Sequence, residues 1–173
     1  MNMKRVIQSH NSKILKNKKP SNTDKTCSCP KTKKDRCPLK GQCLQKNVVY
    51  KATVEKSGKF YIGITEMTFK ERHTGHTYSF KHEKEKNATA LSQHIWEIGE
   101  NITPENPVPA IKWEVIKTTK PREPGSKLCP LCIEEKIQIL KANKDENCLN
   151  IRSELSNRCI IYHRSKHKLL SVR

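Results

Sequence analysis

Tyr50 and Tyr61 stand 11 positions apart in two short apolar runs, Arg72 and His76 follow four residues from one another, and Glu135 lies farther on. Two phenol hydroxyls brought to one end or face of a small sheet would converge on a ligand. An arginine and a histidine at i and i+4 share a helix face. A glutamate with apolar neighbours a turn away on both sides is less comfortable as a plain solvated charge, which makes Glu135 a better metal ligand than Glu134. Each residue also has an ordinary reading: strand tyrosines are half-buried by default, and helical Arg, His and Glu usually face solvent. The eight cysteines add a second chemistry, since Cys27, Cys29, Cys37 and Cys43 fall within 17 residues and Cys129-Pro130-Leu131-Cys132 forms a tight pair later on.

These side chains need elements to hold them. Val48, Tyr50, Ala52 and Val54 alternate with Val49, Lys51 and Thr53, Ser57-Gly58 supplies a turn, and Lys59 to Ile64 returns as the partner strand. The spacing predicts a hairpin carrying both tyrosines and leading into Gly63. Thr68 is the expected N-cap of a helix running to about Glu83, with Glu71 at the capping-box position. Arg72, His76 and, near its end, His82 lie on this helix. Gly75 in its interior costs about 1 kcal/mol and hints at a close approach there. A second helix beginning at Asn87 to Thr89 carries the stripe Leu91, Ile95, Ile98, which is core. After a proline-containing loop over 101–109, Ile111 to Ile116 alternates as a third strand. A last helix is expected from Cys129 to about Ala142, with Ile133, Ile137 and Leu140 as its core stripe and Glu135 projecting nearly opposite, on the side of Leu131 and Ile139. The fold class is α+β, a small three-stranded antiparallel sheet flanked by helices, with zinc-stabilised flanks.

Four thiolates separated by turn formers can wrap one tetrahedral zinc ion, so Cys27, Cys29, Cys37 and Cys43 are one candidate Zn²⁺ site. The Cys129/Cys132 turn is half of another. Its remaining ligands must come from downstream, where Cys148, Cys159, His163 and His167 are available; Cys159 and His163 are the preferred pair, with Cys148 as a spare or as apolar filler.

The ordered set Val48-Val49-Tyr50, Tyr61-Ile62-Gly63, Arg72, His76, Glu135 and Asn150 resembles the GIY-YIG nuclease family, with Val48 where the family has glycine. The phrases Cys43 to Asn47 and Leu131 to Lys136 look more narrowly like the endonuclease domain of Penelope-like retroelements. The resemblance spans roughly residues 27 to 170. It implies a metal-dependent DNA endonuclease, a phosphodiester hydrolase that nicks to leave a 3′ hydroxyl. Glu135 would hold Mg²⁺, Arg72 would neutralise the phosphate, Tyr50 and Tyr61 would orient or deprotonate water with His76 as the alternative base, and Gly63, His82 and Asn150 would support the site. A retroelement-derived endonuclease part would work beside a reverse transcriptase or its RNA.

The net charge of +18 is uneven: residues 1–46 carry 13 Lys and Arg against 2 Asp, residues 151–173 carry 6 against 1, and the middle is nearly neutral. A neutral body with basic ends fits a polyanion, and each phosphate neutralised on duplex DNA would add about 0.9 to the salt slope. With only 34% hydrophobic residues the core is thin, which favours metal as an additional staple. No apolar run suits a signal peptide or a membrane span, so the expected location is intracellular with no membrane partner, and Lys13 to Lys19 suggest the nucleus. In a reducing compartment cysteines serve metals better than disulfides. The expected organisation is a basic disordered tail over 1–26, a zinc segment over 27–46, a nuclease core over 47–155 and a basic tail over 156–173 tied by the second cysteine set. The rival readings are a catalytically inactive, zinc-stabilised nucleic-acid-binding module, and a redox protein using Cys129 and Cys132, which lacks the expected βαβ context.

Overall fold

A computed structural model describes residues 26–29, 37–99, 108–123, 126, 128–142 and 144–150. The expectations for the two tails, and those for Cys159, His163 and His167, lie outside the described residues.

The hairpin forms as its alternation predicts. Strand β1 (Val48–Val54) pairs antiparallel with β2 (Phe60–Thr65), and Gly58 at φ +71° takes the left-handed position that the turn requires. Strand β3 (Ile111–Thr118) pairs with the other edge of β1, giving the antiparallel order β2-β1-β3. The β1/β3 register shifts between Val49 and Tyr50, so Val49 faces Lys117 while Tyr50 faces Val115. That irregularity keeps Trp113 and Val115 on the same face as Tyr50 and Ala52.

Val48 and Val49 are both fully buried although they point to opposite faces, because the sheet is covered on both sides. Helix α1 (Phe69–Ser79) and helix α2 (Ala90–Ile98) cover one face, where Phe69, Phe80, Leu91 and Ile95 pack on Val48, Tyr50, Ala52 and Val54. Phe69, Leu91 and Ile95 are fully buried, each contributing about 1.5–3 kcal/mol. Helix α3 (Pro130–Ala142) covers the other face, with Leu131, Cys132 and Ile139 on Val49, Phe60 and Ile62. The architecture is therefore α+β, a three-stranded antiparallel sheet with three helices.

Three expectations need correction. The stripe Ile133, Ile137, Leu140 does not face the core; these residues are 44%, 40% and 58% exposed. Leu131, Cys132 and Ile139 pack on the second face instead, which turns the Glu135 side of the helix towards the sheet. Helix α1 stops at Ser79 rather than near Glu83: Phe80 N still reaches the His76 carbonyl at 3.0 Å, but Lys81 N turns to the Tyr78 carbonyl at 3.0 Å, and the Trp96 indole takes the Ser79 carbonyl at 3.0 Å. A separate 3₁₀ turn covers Glu83–Glu85. Gly75 has nothing within 4 Å of where a Cβ would stand, so no close approach explains it.

Candidate functional site

Tyr50 sits at the centre of the sheet with no exposed surface. Its register partner is Gly63, while Ala52 pairs with Tyr61, so the two tyrosines are diagonal neighbours on one face. Gly63 makes their convergence possible. A Cβ there would lie 2.5 Å from the Tyr50 hydroxyl and 2.7 Å from Cε1 of Tyr61, closer than any side chain tolerates.

Helix α1 brings the polar partners. Its capping box is complete, with Thr68 Oγ1 accepting from the Glu71 amide at 3.3 Å and Glu71 Oε2 accepting from the Thr68 amide at 2.9 Å. One turn on, Arg72 Nε donates to the Tyr50 hydroxyl at 2.8 Å, and a further turn on, His76 Nε2 lies 2.6 Å from the same oxygen. A ring cage closes around them: Tyr50 packs edge-on to Phe69 at 5.4 Å, and Trp113 lies 5.4 Å from His76 and 5.3 Å from His73.

The environment fixes the proton positions. Burial, reinforced by the charges of Arg72 and His73, pushes His76 down to about 3, so the imidazole is neutral at physiological pH. Burial raises the Tyr50 hydroxyl above its ordinary value, with the Glu135 charge adding to it and Arg72 opposing. Tyr50 therefore keeps its proton, directs it to His76 Nε2 and accepts from Arg72. Burial works against the Arg72 cation, but the Tyr50 hydroxyl it bonds, with Tyr61 and the Glu135 carboxylate nearby, more than offsets it and raises its value. Arg72 is only partly buried, so it meets solvent where Tyr50 does not.

Glu135 lies on α3, and its charge is felt by both Tyr50 and Arg72. Asn150 is buried and acts on the hairpin backbone: its Oδ1 accepts from Ile62 N at 2.7 Å and its Nδ2 donates to Ile62 O at 2.8 Å. It pins the residue between Tyr61 and Gly63. His82 is not among the rings around Tyr50; it is exposed, stacks on Tyr78 at 3.7 Å and bonds the Tyr78 carbonyl through Nδ1.

The Cys27, Cys29, Cys37 and Cys43 sulfurs lie within 4.8 Å of one another. Contacts of 3.8 Å (Cys27 to Cys37), 3.8 Å (Cys29 to Cys43) and 3.5 Å (Cys43 to Cys27) match the edge of about 3.8 Å that a tetrahedron with Zn–S bonds of about 2.3 Å requires. Backbone N–H groups aim at two of them, Gly41 to Cys37 at 3.1 Å and Cys29 to Cys27 at 3.3 Å. Although burial opposes it, the Gly41 and Leu39 amides, with the Cys27 and Cys43 thiols, bring Cys37 down to about 7, while the Cys27 sulfur and burial push Cys29 up to about 12. The set fits a zinc ion. Cys129 and Cys132 are buried in the apolar layer under α3, with Cys148 partly buried against the same layer.

Three residues of this neighbourhood carry no motif. His73 and Trp113 complete the ring cage, and the strand alternation that buries Trp113 was the available signal. His94, buried on α2, accepts or donates to Ser57 Oγ at 2.9 Å through Nε2, and nothing local in the sequence links residues so far apart.

No family model matches this chain, and no curated protein or solved structure matches it. Among the described residues no helix is long and apolar enough to cross a membrane.

Proposed function

We propose that this domain is a metal-dependent DNA endonuclease of the GIY-YIG type, hydrolysing a phosphodiester bond to leave a 3′ hydroxyl. The observation that carries the reading is the Arg72–Tyr50–His76 hydrogen-bonded set beside Tyr61 over Gly63, with Glu135 electrostatically coupled to it. Phosphodiester cleavage needs positive charge on the phosphate, an oriented water and help for the leaving oxygen. Arg72, partly solvated and raised in pKa, binds the phosphate and neutralises charge developing on it. Tyr50 fixes the Arg72 guanidinium and, through His76, holds its own proton. Tyr61, buried beside Tyr50 and close to His76, orients the attacking water. His76 is a poor base in this state, since its value near 3 and its bond to Tyr50 both keep it from taking a proton from water.

Glu135 is a single hard oxygen donor on the sheet side of α3, which suits Mg²⁺ that keeps most of its waters. When bound, such an ion supplies Lewis-acid stabilisation of the phosphate and leaving oxygen. Zn²⁺ in the Cys27/Cys29/Cys37/Cys43 site, and a second one on Cys129, Cys132, Cys159 and His163, would be structural. A retroelement origin, a reverse transcriptase or its RNA as partner, and a nuclear place of action belong to the same proposal.

The complete burial of Tyr50 favours a second reading, a zinc-stabilised nucleic-acid-binding module that does not cut. The net charge of +18 supports either. Nicking of supercoiled plasmid with and without Mg²⁺, beside Glu135→Ala and Arg72→Ala at matched DNA occupancy, separates them. The nuclease reading requires cleavage in the wild type and its loss in both variants with binding retained; salt-sensitive binding without cleavage in any sample leaves the binding module.

A further inference from the structure

We infer that the metal held by Cys27, Cys29, Cys37 and Cys43 positions helix α1, so that metal occupancy determines whether Arg72 and His76 reach Tyr50. The first backbone N–H groups of a helix have no partner within it. In α1 one of them, Glu71, is taken by the Thr68 side chain, and the two before it donate into the cysteine segment: Phe69 N to Gln45 O at 2.9 Å and Lys70 N to Cys43 O at 2.8 Å. Cys43 thus offers its sulfur to the metal and its carbonyl to the helix. The other cysteine arm reaches the same turn, since Lys70 Nζ donates to Ser28 Oγ at 2.9 Å between Cys27 and Cys29. The arms meet each other at Leu44 N to Thr26 O, 3.0 Å.

Four thiols at these spacings are held together by a shared cation rather than by one another. Without it, the Cys43 carbonyl loses the anchor that aims it at Lys70. The far end of α1 stays fixed, because Phe80 is in the core and Ser79 bonds Ser92 at 2.6 Å. The helix would then swing about this fixed C-terminal end, and its N-terminal turn, where Phe69 stays in the core, would shift and carry Arg72 with it. A displacement of about 1 Å is enough to break a bond of hydrogen-bond length and to misplace a phosphate ligand. The inference rests on the nuclease reading for what Arg72 does to a phosphate, and on the backbone geometry alone for the coupling.

The full chain is compared zinc-loaded, zinc-stripped and as Cys29→Ser, by site-resolved amide hydrogen exchange and by the Trp113 indole resonance, with plasmid nicking in Mg²⁺ recorded on the same samples. Trp113 lies 5.6 Å from Phe69, so its signal follows the docking of α1. Stripping is expected to speed exchange at Phe69 and Lys70 at least tenfold, move the Trp113 signal, leave the β1/β2 amides within twofold, and lower nicking tenfold or more, all reversed by zinc alone. Unchanged exchange at Phe69 and Lys70 would overturn the inference, as would failure of the loaded chain to retain zinc. Equal acceleration in β1 and α1 would also overturn it, because the metal would then be a general staple rather than a support of this helix. A wild type that does not nick counts against the nuclease reading alone, and the exchange result still decides this one.

Discussion

The hairpin carries a hydroxyl–imidazole pair at each end. Tyr50 meets His76 Nε2 at 2.6 Å near the start of β1, and Ser57 meets His94 Nε2 at 2.9 Å in the turn. Burial is the first cause lowering both histidines. What differs is the third group. Tyr50 also accepts from the Arg72 guanidinium, and Gly63 leaves room for Tyr61 to join it. Ser57 Oγ instead lies 3.3 Å from the Lys59 amide, and His94 stands 3.9 Å from an exposed Glu97. That amide serves the serine oxygen itself and is not placed for a developing oxyanion, so the pair works as a clamp between the turn and α2. The Lys59 charge is felt by His94, but what sets the Tyr50 pair apart is a guanidinium bonded to the hydroxyl itself.

Changing the acidity tests the Tyr50–His76 pair most strongly. His76 falls from 6.5 to about 3, so its neutral form stabilises the fold fully above pH 6.5 and the contribution is lost as pH drops towards 3. The slope is about 1.4 kcal/mol per pH unit, reaching roughly 5 kcal/mol in all. Urea midpoints of the wild type and His76→Gln measured from pH 8 to pH 4 should converge as the pH falls, and parallel curves would show that His76 is not held neutral. Arg72→Ala is expected to lower nicking by about 10² to 10³ at matched DNA binding, on the scale of removing one preorganised donor, whereas Ser57→Ala should leave it unchanged. Plasmid assays on the two variants check this, and equal losses would erase the distinction between the pairs.

The two hairpin glycines sharpen the comparison further. Gly63→Ala places a methyl against the Tyr50 hydroxyl and should cost about 1–3 kcal/mol while parting the tyrosines. At Gly58 a Cβ meets nothing, and only the positive φ is at stake, about 1 kcal/mol. Thermal melts would rank them. Smallest of all, Ser57→Ala should cost about 1 kcal/mol or less, the net worth of one partly buried hydrogen bond.

Local chemistry was legible in the sequence and long-range choice was not. The hairpin, the third strand and the Thr68/Glu71 cap rest on neighbours a few residues apart, and each formed as expected. The orientation of α3 did not follow, because Ile133, Ile137 and Leu140 are as apolar as the Leu131, Cys132 and Ile139 that won the sheet. The closeness of Tyr50 to Arg72 and His76 depends on the Tyr50/Gly63 register and on where α1 docks; spacing permits it without requiring it. The Ser57–His94 clamp had no signal, since Ser57 read only as a turn residue and His94 belongs to no pattern. For the cysteines, clustering in sequence and convergence in space agree at Cys27, Cys29, Cys37 and Cys43.

The Asn150 side chain presents an acceptor and a donor to Ile62 as a neighbouring strand's backbone would, and Asn147 O and Leu149 N do the same for Phe60 at 2.9 and 2.8 Å. The outer edge of β2 is therefore already occupied, and a foreign strand has no row of unpaired amides there to extend. Among the described strands this leaves β3 as the open margin of the sheet, where Lys112, Glu114 and Lys117 place charges along the line that an aggregating or swapping chain would have to approach.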